Sequence, residues 1–145
     1  MENARKILIV DDEKHIPVLV RTALKRHGYD VTVACDGIEA LKCVAADRPD
    51  LVVLDVSMPN MNGFEVLRRL KASITTCSIR VIMLTARDMA EDVREGWQQG
   101  ADAYLVKPFD PAHLVDVVKS VLGDAPPGAE RPASWPESSD PTRRT

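Results

Sequence analysis

The sequence predicts an α/β domain in which helices cover both faces of one parallel β-sheet. Five short apolar runs recur along the chain, and a segment with helical spacing of its apolar residues follows each run. Apart from Thr32 in the second run, the runs contain no polar residue, and they are rich in β-branched side chains, as strands buried on both faces are. Five such alternations imply a doubly wound sheet with right-handed crossovers and a ligand site at the carboxyl ends of its strands.

The predicted strands are residues 7–10, 31–34, 51–54, 81–84 and 103–106. Apolar stripes that predict the five helices are, in chain order, Ile16, Val20, Ala23 and Leu24; Ile38, Leu41, Val44 and Ala45; Phe64, Leu67 and Leu70; Met89, Val93, Gly96 and Trp97; and Leu114, Val118, Val121 and Leu122. Each stripe is expected to face the sheet. Gly28 is a stop signal for the first helix, whereas Asp110 and Pro111 begin the last helix and Gly123 ends it.

The domain is expected to span residues 1–123 of the 145, followed by a disordered tail at residues 124–145. Residues 125–145 hold five of the ten prolines, three serines and no aliphatic residue larger than alanine. A segment of this composition has too little apolar surface to offset the entropy of ordering its backbone. The sequence therefore predicts one folded domain with a Pro- and Ser-rich tail.

Charge and cysteine content exclude several classes of protein. Lys and Arg total 19 against 22 Asp and Glu, a net charge of −3, so no strongly basic nucleic-acid footprint is present. Cys35, Cys43 and Cys77 show no C-x-x-C pairing, which argues against a zinc site or a disulfide framework, and we expect them to be small buried hydrophobes. The apolar run before Asp11 is only four residues long, residues 7–10, which is too short for a signal peptide or a membrane span. A cytoplasmic protein is expected.

Polar residues follow four of the five predicted strands. Asp11 and Asp12 follow the first strand, Asp55 the third, Thr85 the fourth and Lys107 the fifth. With a strand order of 2-1-3-4-5 the first and third strands are neighbours, so the three carboxylates converge at one edge of the sheet. Clustered carboxylates repel one another and favour a hard cation with oxygen ligands, so the sequence predicts a Mg²⁺ site.

Phosphoryl transfer to a carboxylate fits these residues best. No GxxxxGK[ST] motif follows the first strand, which argues against a bound nucleotide. An aspartate can accept a phosphoryl group covalently when a divalent ion neutralises the transferring oxygens. Asp55 is the best candidate because of its central position, and Thr85 and Lys107 would supply the hydrogen bond and the positive charge.

The motifs together resemble the receiver domain of two-component response regulators. They are Asp11-Asp12, Leu54-Asp55-x-x-Met58-Pro59-x-Met61-x-Gly63, Thr85-Ala86, Gly100-Ala101-Asp102-x-Tyr104 and Lys107-Pro108-Phe109. The resemblance covers residues 5 to about 123, and the order and spacing of the motifs are more specific than any one of them. It implies a flavodoxin-like (βα)5 fold with the strand order assumed above.

The resemblance also implies roles for individual residues. Asp55 would accept a phosphoryl group from a histidine kinase or histidine phosphotransfer protein. The Mg²⁺ ligands would be Asp12, Asp55 and the Ser57 main-chain carbonyl, with Asp11 acting mainly through a metal-bound water. Lys107 would contact the phosphoryl group, with its peptide bond to Pro108 expected in the cis form.

In the switch that the resemblance implies, Thr85 would move toward the phosphate and Tyr104 would turn inward. These movements would alter the face made by the fourth predicted helix, the fifth strand and the fifth predicted helix, which would contact a downstream protein. The chain would act as a phosphoacceptor that promotes its own phosphorylation and dephosphorylation, not as a conventional turnover enzyme. No direct contact with nucleic acid or membrane is expected.

The sequence alone leaves two alternative functions open. One is a constitutive interaction module with a receiver fold that is never phosphorylated, against which the intact acidic trio and Lys107 argue. The other is a flavodoxin-like FMN enzyme, which is disfavoured because carboxylates stand where a phosphate-binding loop is needed.

Overall fold

The computed structural model describes residues 4–13, 15–56, 61–86, 100–107 and 109–123. In these ranges the elements are β1 (Lys6–Val10), α1 (His15–Arg26), β2 (Asp30–Ala34), α2 (Gly37–Ala46), β3 (Leu51–Asp55), α3 (Gly63–Ala72), β4 (Arg80–Ala86), β5 (Ala103–Lys107) and α4 (Pro111–Leu122). The fourth predicted helix, Ser57, Pro108 and the predicted tail lie outside them. None of the helices in these ranges is long and apolar enough to cross a lipid bilayer.

All five strands are parallel and lie in the order β2-β1-β3-β4-β5, which confirms the predicted doubly wound sheet. Each strand is one to three residues longer than its apolar run, because main-chain pairing continues into polar residues. Lys6 pairs with Asp30 at one end of the sheet, and Ala86 pairs with Lys107 at the other. The added residues at the carboxyl ends include three of the predicted site residues, Asp55, Thr85 and Lys107.

One hydrophobic cluster lies on each face of the sheet. Alternate residues of β3 point to opposite faces, so Val52 and Leu54 pack with residues of α2 and α3, whereas Leu51 and Val53 pack with residues of α1 and α4. All four β3 side chains are fully buried. Burying a side chain of this size contributes about 1.5–3 kcal/mol. This double cover explains why β3 begins as an uninterrupted apolar run.

The stripe predicted for the second helix is wrong at two positions. Ile38 is 48% exposed and Ala45 is also exposed. The residues of α2 that are buried are smaller on average: Gly37, Ala40 and Val44. A Cβ atom at Gly37 would lie 2.8 Å from Val66 Cγ2, so α2 approaches α3 too closely to place large side chains between them. The close approach, and not the spacing of large apolar residues, decides which face of α2 is buried.

The predicted helix ends are confirmed. Gly28, beyond the end of α1, has φ +89°, and Gly123 caps α4 with φ +76°. Both values lie in the left-handed region that glycine adopts without a steric penalty. Asp110 is the N-cap of α4 and accepts a hydrogen bond of 2.9 Å from the Ala112 amide, with Pro111 in the first turn.

The expectation that the cysteines are buried is wrong for two of the three. Cys35, directly after β2, and Cys77, in the α3–β4 loop, are both exposed. Cys43 is partly buried and packs against the α2/α3 hydrophobic cluster, and this burial raises the pKa of its thiol. The two exposed residues lie where the chain leaves the sheet layers, so their side chains have no core to enter.

Asp102, in the Gly-Ala-Asp motif, joins β4 to the start of β5. Its main-chain amide donates to the Val81 carbonyl at 2.8 Å, and its Oδ2 accepts from the Val81 amide at 2.8 Å. Asp50, directly before β3, makes the same reciprocal pair of hydrogen bonds with Lys6 at the start of β1. The structure therefore gives the Asp102 of this motif a fold-stabilising contact at the end of the sheet opposite the acidic residues.

Replacing Asp102 with alanine is expected to lower the free energy of unfolding by about 1–3 kcal/mol, because the buried Val81 amide loses its acceptor. Urea denaturation followed by circular dichroism measures this loss. Asp102→Asn retains a side-chain acceptor and should lose less than half as much. Wild-type stability of the alanine variant would contradict the assignment.

Candidate functional site

Three carboxylates meet at the carboxyl ends of β1 and β3. Val10 pairs with Leu54 in the β1–β3 ladder, so the next residues, Asp11 and Asp55, lie side by side. Asp11, Asp12 and Asp55 each offer a carboxylate oxygen within 4.8 Å of those of the other two. Asp11 is 2% and Asp55 4% exposed, whereas Asp12 faces solvent. The strand order thus produces the acidic cluster that the sequence predicts.

Lys107 reaches this cluster from the opposite side of β4. It pairs with Ala86, whereas Asp55 pairs with Leu84, so its long side chain crosses the end of β4. Lys107 Nζ lies 3.1 Å from Asp11 Oδ2 and 3.2 Å from Asp55 Oδ2. The ammonium group therefore partly neutralises the two buried carboxylates.

The pKa of Lys107 is raised above its ordinary value. Burial is the largest single influence and acts in the opposite direction, because it disfavours the charged ammonium. The hydrogen bond to Glu13, the negative charge of Asp55 and the contacts with Asp11 together outweigh it. Lys107 is consequently a permanent cation at neutral pH.

Glu13 is a site residue that the sequence analysis did not identify. Its Oε1 lies 3.0 Å from Lys107 Nζ, and its amide donates a hydrogen bond of 2.9 Å to Asp11 Oδ1. The available signal was its place directly after Asp11-Asp12, but a third acidic residue in a row usually indicates a solvated loop. Its contact with Lys107 joins residues that are 94 positions apart in the sequence.

The two predicted switch residues lie on neighbouring strands: Thr85 is in β4 and Tyr104 is in β5. Thr85 is 2% exposed and pairs with Val106, and it follows Leu84, the partner of Asp55. Tyr104 is 1% exposed and belongs to the hydrophobic cluster beneath α2 and α3. By strand alternation Thr85 points to the same face of the sheet as Met83, and Met83 belongs to the same cluster as Tyr104. The two predicted switch residues therefore share one face of the sheet.

Gly63 supports the chain that follows Asp55. Its amide donates to the Val56 carbonyl at 2.9 Å, and the Val56 amide donates to the Leu84 carbonyl at 2.9 Å. A Cβ atom at Gly63 would meet the Asp55 carbonyl oxygen and would lie 2.9 Å from Val56 Cα. Only glycine allows the first turn of α3 to lie this close to the main chain of Asp55.

An open cavity of about 200 Å³ adjoins the acidic cluster. Its lining residues come from α1, β2 and the loops that follow β1 and β2: Asp11, Asp12, Glu13, Val18, Arg21, Val33 and Cys35. Solvent and small solutes can therefore approach the cluster from the β1–β2 side.

A family model described as the response regulator receiver domain matches residues 7–119. The chain belongs to this family. The match decides against the FMN enzyme and confirms the resemblance found in the motifs.

The relatives of this receiver domain are bacterial regulators. The alkaline phosphatase synthesis transcriptional regulatory protein PhoP of Bacillus subtilis is 44% identical over 118 residues, which are 81% of this chain and 48% of PhoP. The response regulator MprA of Mycobacterium tuberculosis is 42% identical over 117 residues, 81% of this chain and 50% of MprA. The chain thus spans about half the length of the curated relatives it matches.

Solved structures agree with this family and fold. The chemotaxis protein CheY4 of Vibrio cholerae matches with a TM-score of 0.78 and 36% identity, covering 82% of this chain and 99% of CheY4. A response regulator of Chloroflexus aurantiacus, described as putative, has a TM-score of 0.79 and 33% identity over 83% of this chain and 99% of its own. The flavodoxin-like architecture of the receiver domain is therefore shared with these proteins.

The carboxylates of the receiver domain fit a divalent cation. In the described ranges Asp11 Oδ2 is buried and accepts no hydrogen bond, although Lys107 Nζ lies 3.1 Å away as an ion pair. A buried carboxylate oxygen with unused acceptor capacity can ligate a cation. Oxygen atoms are the only donors that these three side chains offer, and such sites prefer a hard ion such as Mg²⁺.

Proposed function

We propose that Asp55 accepts a phosphoryl group from a phosphohistidine on a histidine kinase or histidine phosphotransfer protein. The observation that supports it most is the convergence of Asp11, Asp12, Asp55 and Lys107 at one edge of the sheet, in a chain of the receiver family. Asp55 is central in this group because it lies on the middle strand and contacts the only ammonium group that the described residues bring to the cluster.

In the proposed step a carboxylate oxygen of Asp55 attacks phosphorus and forms an acyl phosphate as the P–N bond breaks. The electron pair of that bond returns to the ring nitrogen, and an imidazole protonated at its other nitrogen leaves in neutral form. Lys107 provides a fixed positive charge beside Asp55 for the transferring oxygens. The Thr85 hydroxyl provides a hydrogen-bond donor from the neighbouring strand.

Asp11, Asp12 and Asp55 would hold Mg²⁺, together with the main-chain carbonyl of Ser57, and Asp11 would act mainly through a bound water. When bound, the cation neutralises carboxylates and transferring oxygens that otherwise repel one another. The chain's own contribution is to keep the carboxylates fixed on adjacent strand ends, with Asp11 held by the Glu13 amide. Preorganisation of this kind lowers the cost of assembling the site during the reaction.

The phosphoryl group would also operate a switch. It brings new charge and acceptor oxygens, which favour the arrangement that offers Thr85 and Lys107 as partners. Tyr104 already lies buried on the same face of the sheet as Thr85, so phosphorylation would favour this inward position as Thr85 moves, and the face formed by the fourth predicted helix, β5 and α4 would change with it. Val106 of β5, 37% exposed, provides apolar surface for a downstream protein.

The partners of this chain would therefore be proteins. A net charge of −3 does not favour direct contact with nucleic acid. The protein would act in the cytoplasm as a phosphoacceptor that promotes its own phosphorylation and dephosphorylation, and not as a turnover enzyme. Residues 1–123 would form the receiver domain, with residues 124–145 as a flexible tail.

Incubation with acetyl phosphate and Mg²⁺ is expected to raise the mass of the intact protein by about 80 Da, the mass of one phosphoryl group. The Asp55→Asn variant should show no adduct, because an amide is not a nucleophile of this kind. Asp116→Asn, at an exposed position of α4, is the matched control and should be modified like the wild type. Without an adduct on the wild type from either acetyl phosphate or a kinase, the constitutive interaction module becomes the better explanation.

A further inference from the structure

The ammonium group of Lys107 is shared among three carboxylates. Nζ donates hydrogen bonds to Glu13 Oε1 at 3.0 Å and to Asp55 Oδ2 at 3.2 Å, and it lies 3.1 Å from Asp11 Oδ2 as an ion pair. Asp11 and Asp55 are almost completely buried, whereas the Glu13 side chain is 50% exposed. Glu13 is thus the outermost of the three and ties the β1–α1 loop to the end of β5.

The three carboxylates differ in what the proposed reaction does to them. Asp11 and Asp55 would share their charge with the cation, and Asp55 would carry the phosphoryl group. Glu13 is outside the set of three that can ligate a metal, so neither the cation nor the phosphoryl group would occupy its carboxylate. Its attraction for Lys107 therefore persists when phosphoryl oxygens arrive as a new set of acceptors.

We propose that Glu13 is a positioning residue that competes with the phosphoryl group on Asp55 for the ammonium group of Lys107. This inference depends on the proposed function, because it assigns a regulator to the same site. Glu13 holds Lys107 at the mouth of the site before phosphorylation, and it draws the ammonium away from the phosphoryl oxygens afterwards.

Glu13 disfavours the contact of Lys107 with the phosphoryl group, but it should favour the binding of Mg²⁺. Glu13 adds negative charge beside the acidic cluster and engages one of the donors of Lys107, and both effects favour Mg²⁺ at the carboxylates. Loss of the Glu13 charge should weaken Mg²⁺ binding and strengthen binding of a phosphoryl-like anion. If Glu13 only maintained the structure of the loop, its replacement would weaken the binding of both Mg²⁺ and the anion. The signs of the two changes therefore distinguish competition for Lys107 from a purely structural role.

Glu13→Gln removes the charge and retains the shape and an acceptor oxygen. Isothermal titration calorimetry measures Mg²⁺ alone, and then beryllofluoride, an analogue of the phosphoryl group, at saturating Mg²⁺. We expect the variant to bind Mg²⁺ about threefold more weakly and beryllofluoride about threefold more tightly. Changes in affinity of this size correspond to the free energy that a partly exposed ion pair contributes. Glu13→Asp keeps the charge and should restore at least half of each change, and Asp116→Asn controls for loss of a distant charge.

Two results would overturn the proposal. If Glu13→Gln weakens both ligands or leaves both unchanged, while the wild type binds beryllofluoride, competition for Lys107 is wrong and the proposed function stands. If the wild type binds Mg²⁺ but no beryllofluoride, Asp55 is not a phosphoacceptor, and the proposed function is overturned together with this inference.

Discussion

Replacing Gly63 with alanine is expected to lower the free energy of unfolding by about 3 kcal/mol, the upper end of what an overpacked core costs. The new methyl group would meet the Asp55 carbonyl oxygen and would lie 2.9 Å from Val56 Cα. Main-chain atoms cannot rotate away as a flexible side chain does, so either α3 or the end of β3 must move. Displacement of the Asp55 main chain should also slow the modification by acetyl phosphate at least tenfold.

Urea denaturation and intact-mass kinetics measure these two effects. Gly123→Ala is the matched control, because its φ of +76° is strained for alanine but, among the described residues that are not its neighbours in the chain or in α4, no atom lies within 4 Å of the added Cβ. It should cost about 1 kcal/mol and leave the rate of modification unchanged. Equal losses of stability in the two variants would show that steric contact at Gly63 is unimportant.

Replacing Lys107 with methionine is expected to lower the free energy of unfolding by about 3 kcal/mol in the absence of divalent cations, since buried carboxylates lose their ionic partner. Asp11 and Asp55 are 2% and 4% exposed, so water cannot replace the ammonium group effectively. Added Mg²⁺ should stabilise this variant more than the wild type, because the cation no longer competes with Nζ for the same oxygens.

Urea denaturation with and without saturating Mg²⁺ provides the measurement. Lys25→Met removes an exposed lysine from α1 and should respond to Mg²⁺ like the wild type. Lys107→Arg keeps the positive charge and should retain more of the stability than methionine does. If Mg²⁺ stabilises Lys107→Met and the wild type equally, the lysine and the cation do not share these carboxylates.

The parts of the fold that could be predicted are those set by local composition. Uninterrupted apolar runs such as residues 51–54 identify strands because both faces of the sheet are covered, and each described strand contains its predicted run. The ends of α4 followed from Asp110, Pro111 and Gly123, whose conformational preferences act within one turn of helix. The exposure of Ile38 was not predicted, since it depends on how closely α2 approaches α3.

The carboxylate cluster could also be inferred, because strand order alone brings the residues after β1 and β3 together. The contact of Lys107 with Glu13 could not be inferred. Hydrophobic periodicity and motif spacing predict which residues lie at the ends of the strands, because these patterns involve only residues a few positions apart in the sequence. The contact between Glu13 and Lys107 spans 94 positions and depends on side-chain reach across the end of β4, a distance that exists only after the sheet has assembled.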